Sequence, residues 1–167
     1  MNPTELQAEA LYSQLETELK SALAGMPNLA IVGIYSGGAW LAERLAEALN
    51  LPAPGFVDVS FYRDDYAKRG LKEEIRPSQI PFEMEGANIL LVDDVLYTGR
   101  TTRAAINTLF DYGRPAKIML AALVDRGGRE LPIFADFVAK TIDLPSEQML
   151  VLQKADDGRL SLTIDHA

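Results

Sequence analysis

Apolar residues follow two alternating periods along the chain. From residue 5 to residue 23, leucines recur four positions apart, which is the spacing of one face of a helix. A continuous apolar run follows at residues 29–35, and the two patterns then alternate. Such alternation is typical of an α/β fold, with a mainly parallel central sheet flanked by helices.

The pattern predicts particular elements in chain order. Helices are expected at residues 5–23, 39–49 and 100–112, the last of them ending at Gly113. Strands are expected at residues 29–35, 56–61, 87–92 and 118–124, with shorter ones at 134–139, 148–152 and 160–164. Neither a repeat nor a linker divides the sequence, so residues 1–167 are expected to form a single domain.

The composition limits the class of protein. With 167 residues and 48% hydrophobic content, the chain can bury the core of one globular domain. No apolar run approaches the roughly 18 residues of a membrane span, and no signal peptide is evident. The lack of cysteine excludes thiol chemistry, and His166 lies in a polar tail where we expect it to be solvated. We therefore expect a cytoplasmic protein without membrane association.

The most informative stretch follows the strand predicted at residues 87–92. Asp93 and Asp94 come directly after it, and a short loop over residues 98–101 then opens a helix. Backbone amides at a helix start have no intrahelical partner and favour an anion. Ionised carboxylates can only accept hydrogen bonds, which suits the hydroxyls of a ribose. A phosphorylated ribose is the simplest ligand that needs both groups.

The loop residues add donors for a phosphate. Gly99 lets the backbone approach phosphate oxygens closely, the hydroxyls of Thr98 and Thr101 can donate, and Arg100 brings a fixed positive charge. The alternative is that Thr98 only caps a helix and that the two aspartates are solvated residues at a strand end.

Three segments together resemble one known family. Residues 92–101, 112–115 and 123–132 resemble the pyrimidine-operon attenuator/uracil phosphoribosyltransferase family, and the similarity extends from about residue 29 to residue 152. The resemblance implies a type I phosphoribosyltransferase fold, with a small C-terminal hood over about 132–167 and a flexible flap over about 62–81. It also implies transfer of ribose 5-phosphate from phosphoribosyl diphosphate to uracil, giving UMP and diphosphate.

The resemblance assigns roles to particular residues. Asp93 and Asp94 would be the catalytic residues, holding the ribose hydroxyls and Mg²⁺ directly or through its waters. Backbone groups near residues 124–125 and hood residues 139–140 and 149–150 would bind uracil. The residues that would bind phosphoribosyl diphosphate or nucleotide are Ser36, Gly37, Gly38, Arg63, Tyr97, Thr98, Gly99, Arg100, Thr101, Arg126 and Arg129.

Some positions depart from the pattern of relatives. Many relatives carry Arg in place of Gly37, which removes one charge from the diphosphate loop, and His in place of Gly128. Tyr97 stands where purine-specific relatives tend to place an Asp base, so it favours uracil and leaves the proton acceptor unidentified. From the residues alone, 36–38 can be an ordinary turn, and Arg126 and Arg129 can pair with Asp125 and Glu130 at the surface.

An RNA-binding attenuator that senses nucleotide, with weak or no catalysis, is the competing interpretation. Family members that bind RNA carry Arg, Thr and His in the first helix, whereas residues 9–18 here are acidic and contain neither Arg nor His. The net charge is -8, from 16 basic and 24 acidic residues, so phosphate repulsion argues against RNA binding. Transfer to another base is a third interpretation. A homodimer or larger homo-oligomer is expected from the resemblance.

Overall fold

The computed structural model describes residues 6–59 and 77–166. Its helices are α1 (Ala8–Ala22), α2 (Gly37–Ala48) and α3 (Arg100–Phe110). Its strands are β1 (Leu29–Ile34), β2 (Gly55–Val57), β3 (Asn88–Leu96), β4 (Lys117–Asp125), β5 (Phe137–Thr141), β6 (Gln148–Lys154) and β7 (Leu160–His166). Strands β1 to β5 form a parallel sheet in the order β2-β1-β3-β4-β5, and β6 and β7 form a separate antiparallel hairpin. The predicted α/β class and mainly parallel sheet are confirmed.

Both faces of the sheet are covered, which explains the continuous apolar runs of its central strands. In β3, Leu90 and Val92 pack into a cluster with α1 and α2, whereas Ile89 and Leu91 pack into a second cluster with α3. Successive side chains of a strand point to opposite faces, so a strand buried on both faces needs apolar residues at every position.

The two central strands separate at one end of the sheet. Strand β1 pairs with β3 only as far as the Gly33–Val92 register, while β3 continues to Leu96 beside β4. At this point the chain leaves β1 and enters α2, and the strand order reverses between β1 and β3. In open α/β sheets, ligands bind at such a reversal, outside the carboxyl ends of the strands.

Some predicted strand ends were wrong. The strand expected at 87–92 runs on to Leu96, because β4 continues to pair with it, and Asp93 and Asp94 therefore lie inside the strand. The strand expected from residue 134 begins at Phe137, and Phe134 is 76% exposed. The strand expected at 56–61 is only Gly55–Val57 within the described residues.

The predicted flap lies mostly outside the described residues, and so does Arg63. Of its expected range, residues 77–81 are described, and Gln79 forms an antiparallel bridge with Phe56. Across the two described ranges, none of the helices has the length and apolar character needed to cross a membrane.

The C-terminal hairpin is tied to the N-terminal helix through Glu9. One Glu9 carboxylate oxygen accepts from the Leu160 amide at 2.8 Å, and both oxygens accept from the Arg44 guanidinium at 2.9 Å. The guanidinium in turn stacks on the Tyr12 ring, 4.0 Å from its centroid, and burial raises the pKa of that phenol. One carboxylate thus joins α1, α2 and β7.

Replacing Glu9 by Gln should lower stability at neutral pH and have less effect in acid. The hydrogen bonds from Arg44 hold the pKa of the Glu9 carboxyl below its ordinary value, so the ion pair stabilises the folded state at neutral pH. This contribution fades as the pH falls below about 4 and the carboxyl takes up a proton. The side chains of Arg44 and Glu9 are 38% and 36% exposed. Solvent screening therefore limits the expected loss to about 0.5–1 kcal/mol, or roughly 1–4 °C in Tm.

Thermal unfolding at pH 7 and pH 3 measures this effect. The Glu18→Gln variant is the matched control, since Glu18 is an exposed residue of the same helix. A loss that is equally large at both pH values would show that the charge of Glu9 is not its source.

Candidate active site

A cleft of about 620 Å³ opens where β1 and β3 separate. Its floor comes from the carboxyl ends of these strands and the start of α2, and its far wall comes from the segment leading into β6 and from β6 itself. The lining residues are Ile34, Ser36, Gly37, Trp40, Asp93, Asp94, Val95, Tyr97, Thr101, Arg126, Ser146, Gln148, Met149, Leu150, Val151 and Leu152.

The turn between β1 and α2 is pressed against β3. A Cβ at Gly37 would overlap the Asp94 carboxylate, and one at Gly38 would overlap the Val92 carbonyl oxygen. At Gly38 only glycine permits this approach of the two backbones, whereas a side chain at Gly37 would have to displace the Asp94 side chain. Ser36, the residue before α2, accepts hydrogen bonds at its carbonyl from the Ala39 and Trp40 amides, and the Tyr35–Ser36 peptide bond is cis. The sequence did not indicate the cis bond.

Asp93 and Asp94 are consecutive residues of β3, so their side chains leave opposite faces of the strand. Asp94 lies on the α2 side, beside Gly37. Each carboxylate accepts a hydrogen bond from the next backbone amide, at 2.8 Å in both cases. Both residues line the cleft.

The loop before α3 is shaped by Gly99 and supported from behind. Gly99 has φ +95°, in the left-handed region that favours glycine, and it packs on Ile133. The Thr98 hydroxyl accepts from the Arg100 amide at 3.2 Å, and the Thr98 carbonyl accepts from the amides of Glu130 and Leu131. The chain after β4 therefore holds this loop at the start of α3.

The arginines near the loop differ in their environments. The Arg100 side chain is 53% exposed and pairs with Glu130, 3.2 Å between Nη2 and Oε1. Arg129 donates to the Asp125 carboxylate and to the Tyr97 carbonyl, both at 2.6 Å. The surface pairing considered from the sequence is therefore present for Arg129, whereas Glu130 pairs with Arg100.

Arg126 is buried, so the alternative of an ion pair at the surface does not apply to it. It is 3% exposed, and its guanidinium carbon lies 3.9 Å from the centroid of the Tyr97 ring. Its Nη1 donates to the Gln148 carbonyl at 2.6 Å, and Nη2 donates to the carbonyls of Leu144 at 3.3 Å and Pro145 at 3.0 Å. Arg126 thus joins the end of the sheet to the segment that leads into β6.

Most residues named from the sequence converge on this cleft. Gly38, Thr98 and Gly99 lie immediately beside it, whereas Arg100 and Arg129 do not line it. The cleft-lining members of the predicted set are Ser36, Gly37, Asp93, Asp94, Tyr97, Thr101 and Arg126.

The residues expected to bind uracil lie in different parts of the structure, and their role in base binding stays a prediction. Met149 and Leu150 line the cleft, whereas Val124 and Ala139 are buried in the core. Sequence reasoning missed Trp40, Ser146 and Gln148 as lining residues. Trp40 is the single tryptophan and lies two residues after the Ser-Gly-Gly turn, so its position could have indicated it.

Comparison with known proteins identifies the class. The model of the phosphoribosyl transferase domain matches residues 6–149, and the chain belongs to this family. It is similar to the bifunctional protein PyrR of Ralstonia nicotianae, 52% identical over 160 residues that cover 95% of this chain and 92% of the relative. It is 49% identical over 165 residues to the bifunctional protein PyrR of Nitrosococcus oceani, covering 96% and 93%. The family resemblance found in the sequence is confirmed.

Solved structures confirm the fold. A crystal structure of the hypoxanthine phosphoribosyltransferase of Trypanosoma cruzi matches with a TM-score of 0.69 and 20% identity, covering 96% of this chain and 94% of that one. A second structure of that enzyme matches with a TM-score of 0.63 and 23% identity, covering 83% and 77%. The expected phosphoribosyltransferase fold, with its small C-terminal hairpin, is thereby established.

The crowding of Gly37 against Asp94 can be tested with a double-mutant cycle. Gly37→Ala should destabilise the protein by roughly 1–3 kcal/mol, because its methyl group would overlap the Asp94 carboxylate. In an Asp94→Ala background the obstructing carboxylate is gone, so the same substitution should cost at least about 0.5 kcal/mol less. Urea unfolding of the four proteins gives both costs. Equal costs in the two backgrounds would show that the Asp94 carboxylate is not what crowds this position.

Proposed function

We propose that this protein is a uracil phosphoribosyltransferase. It transfers ribose 5-phosphate from phosphoribosyl diphosphate to N1 of uracil, giving UMP and diphosphate. The observation that carries the proposal is the convergence of Asp93, Asp94 and Thr101 in one cleft at the reversal of strand order. Acceptors for ribose hydroxyls and a helix start suited to a phosphate are then within reach of one ligand.

The loop at residues 98–101 grips the 5′-phosphate. Its amides at the start of α3, the Thr98 and Thr101 hydroxyls and the Arg100 charge supply the donors. The Arg100 pair with Glu130 is exposed, so a phosphate can compete for this cation at little cost. Binding at this remote group positions the anomeric carbon for reaction.

The two carboxylates fit a magnesium ion that is shared with the substrate. Among the described residues, no group of three or more acidic or histidine side chains could hold a metal by itself. Mg²⁺ commonly takes one or two carboxylates together with phosphate oxygens and water, which matches Asp93 and Asp94 facing a diphosphate. The bound ion would neutralise charge on the departing diphosphate.

Positioning and exclusion of water are the main contributions of the protein. The anomeric carbon gains positive charge as the diphosphate departs. The acceptor oxygens of Asp93 and Asp94 stabilise this positive charge, and the reaction does not depend on a strong nucleophile. The hood wall, with Met149, Leu150 and Val151, offers an apolar surface for the ring of the base. Tyr97 is not assigned the role of accepting the N1 proton.

A regulator of pyrimidine genes that binds RNA is the second candidate, because the relatives are named bifunctional proteins. The charge of α1 opposes RNA binding on that helix, where Glu9, Glu16 and Glu18 outnumber Lys20. For this reason we rank catalysis above regulation. We propose that the protein is a single-domain cytoplasmic protein and that it works as a homodimer or larger homo-oligomer.

An assay with several bases tests the proposal directly. The purified protein, phosphoribosyl diphosphate and Mg²⁺ are incubated with uracil, hypoxanthine, guanine or orotate, and nucleotide formation is measured. We expect UMP from uracil alone, and a loss of turnover by about 100-fold or more in Asp94→Asn, which alters the contacts with ribose and metal. No product from any base, with phosphoribosyl diphosphate still bound, would favour the regulator.

Removing Arg100 should weaken binding without unfolding the protein. We expect Arg100→Ala to raise the Kd for phosphoribosyl diphosphate about tenfold or more, the effect of losing a charge-assisted hydrogen bond. The Tm should change little, because the ion pair with Glu130 is exposed. Titration calorimetry measures the Kd, and Arg103→Ala, an exposed arginine of the same helix, is the control. Equal Kd values for Arg100→Ala and the unmodified protein would remove Arg100 from the site.

A further inference from the structure

Arg126 is a buried cation whose hydrogen-bond partners among the described residues are all uncharged. It is 3% exposed, and within the described residues its hydrogen bonds go to backbone carbonyls and to no carboxylate. Its Nε is also buried and has no hydrogen-bond partner in this part of the chain. A buried charge normally requires pairing, because leaving water costs several kcal/mol. The positive charge of Arg126 is therefore only partly compensated by protein dipoles.

This charge lies at the wall of the cleft. Among the described cleft-lining residues, Arg126 is the one cation, and the other ionisable side chains there are Asp93, Asp94 and Tyr97. Both Nη groups are occupied by carbonyls of the segment leading into β6, so they cannot form the forked pair that arginine makes with a phosphate. The guanidinium can therefore act on a ligand through its electric field, which is little screened by water.

Arg126 is linked to the hood side of the cleft through Gln148. The guanidinium carbon of Arg126 lies 3.9 Å from the centroid of the Tyr97 ring. Gln148, whose carbonyl accepts a hydrogen bond from Nη1 of Arg126, also lines the cleft. We propose that Arg126 makes this side of the cleft selective for a ring that carries or develops negative charge, as a pyrimidine base does when it loses its N1 proton. This role rests on the proposed transfer to uracil and specifies how the base is activated.

The step balances without any further reactant. Uracil N1 forms a bond to C1′ of the ribose, the bond from C1′ to the diphosphate oxygen breaks, and the diphosphate leaves with that electron pair. The N1 proton is released to solvent water. Negative charge builds up on the ring oxygens as the N–H bond weakens, and the field of Arg126 stabilises it before the new bond is complete. Arg126 is a positioning and electrostatic residue, because it need not touch N1.

Two substrates and two variants distinguish an electrostatic role of Arg126 from a purely structural one. Fluorine withdraws electrons, so 5-fluorouracil loses its N–H proton more easily than uracil and depends less on the cation. We expect Arg126→Gln to lower kcat/KM about 10- to 100-fold with uracil and about threefold or less with 5-fluorouracil. Arg126→Lys keeps the charge but cannot reach all three carbonyls, and it should retain activity within about fivefold. Arg159→Gln, on the exposed turn between β6 and β7, is the control.

A binding measurement on the unmodified protein requires no turnover and no variant. Trp40 is the single tryptophan and lines the cleft, so its fluorescence reports occupancy. Barbituric acid, a ring of similar shape that is anionic at neutral pH, should bind about tenfold more tightly than neutral uracil.

The outcomes distinguish this inference from the proposed function. A protein with no turnover that still prefers the anionic ring keeps the charge role and loses the transferase assignment. Equal binding of the two rings overturns the charge role, and so does an Arg126→Gln loss of the same factor with both substrates. If Arg126→Lys lowers kcat/KM with uracil as much as Arg126→Gln does, the charge role is also overturned. Arg126 would then have only a structural role.

Discussion

The candidate site depends on the close approach of the turn after β1 to strand β3. Pairing between these strands stops at Gly33 and Val92, and beyond that point the start of α2 takes the place of a neighbouring strand. The approach is possible because Gly38 has no side chain where the Val92 carbonyl lies, and Gly37 leaves room for the Asp94 carboxylate. The same crowding fixes the Asp94 carboxylate and leaves the gap that becomes the cleft. One steric constraint therefore both opens the site and orients a functional group in it.

The far wall of the cleft is held in place from two separate directions. Glu9 anchors β7 to α1 and α2, and Arg126 anchors the segment before β6 to the end of the sheet. Gln14 adds a hydrogen bond from α1 to the Ala139 carbonyl of β5, at 3.2 Å. The wall itself is a two-stranded hairpin, which is marginal in isolation. Contacts with the first helix and the sheet therefore determine the shape of the cleft, although these segments are far apart in sequence.

Features that are local in sequence could be predicted, and features that depend on distant contacts could not. Asp93, Asp94 and the loop before α3 lie within a few residues, so their proximity could be predicted before the fold was known. The extent of β3 could not be predicted. Its apolar run stops before the two carboxylates, but pairing with β4 continues the strand beyond them. The burial of Arg126 was hidden for another reason. Its partners are backbone carbonyls, which any residue type supplies, whereas the Arg129 pair with Asp125 spans four residues and could be foreseen.

The charges of the site have different consequences for folding and for binding. Arg100 and Glu130 form an exposed pair, which contributes little to stability and can be broken by a ligand. Arg126 is different, because its charge is buried and its Nη groups donate only to neutral carbonyls within the two described ranges. Uncharged side chains of similar size often stabilise such positions better than charged ones do. The desolvation of Arg126 therefore lowers the stability of the folded protein, because neutral groups do not fully compensate its charge. In our proposal, a negatively charged ring in the adjacent cleft offsets part of this free-energy cost when it binds.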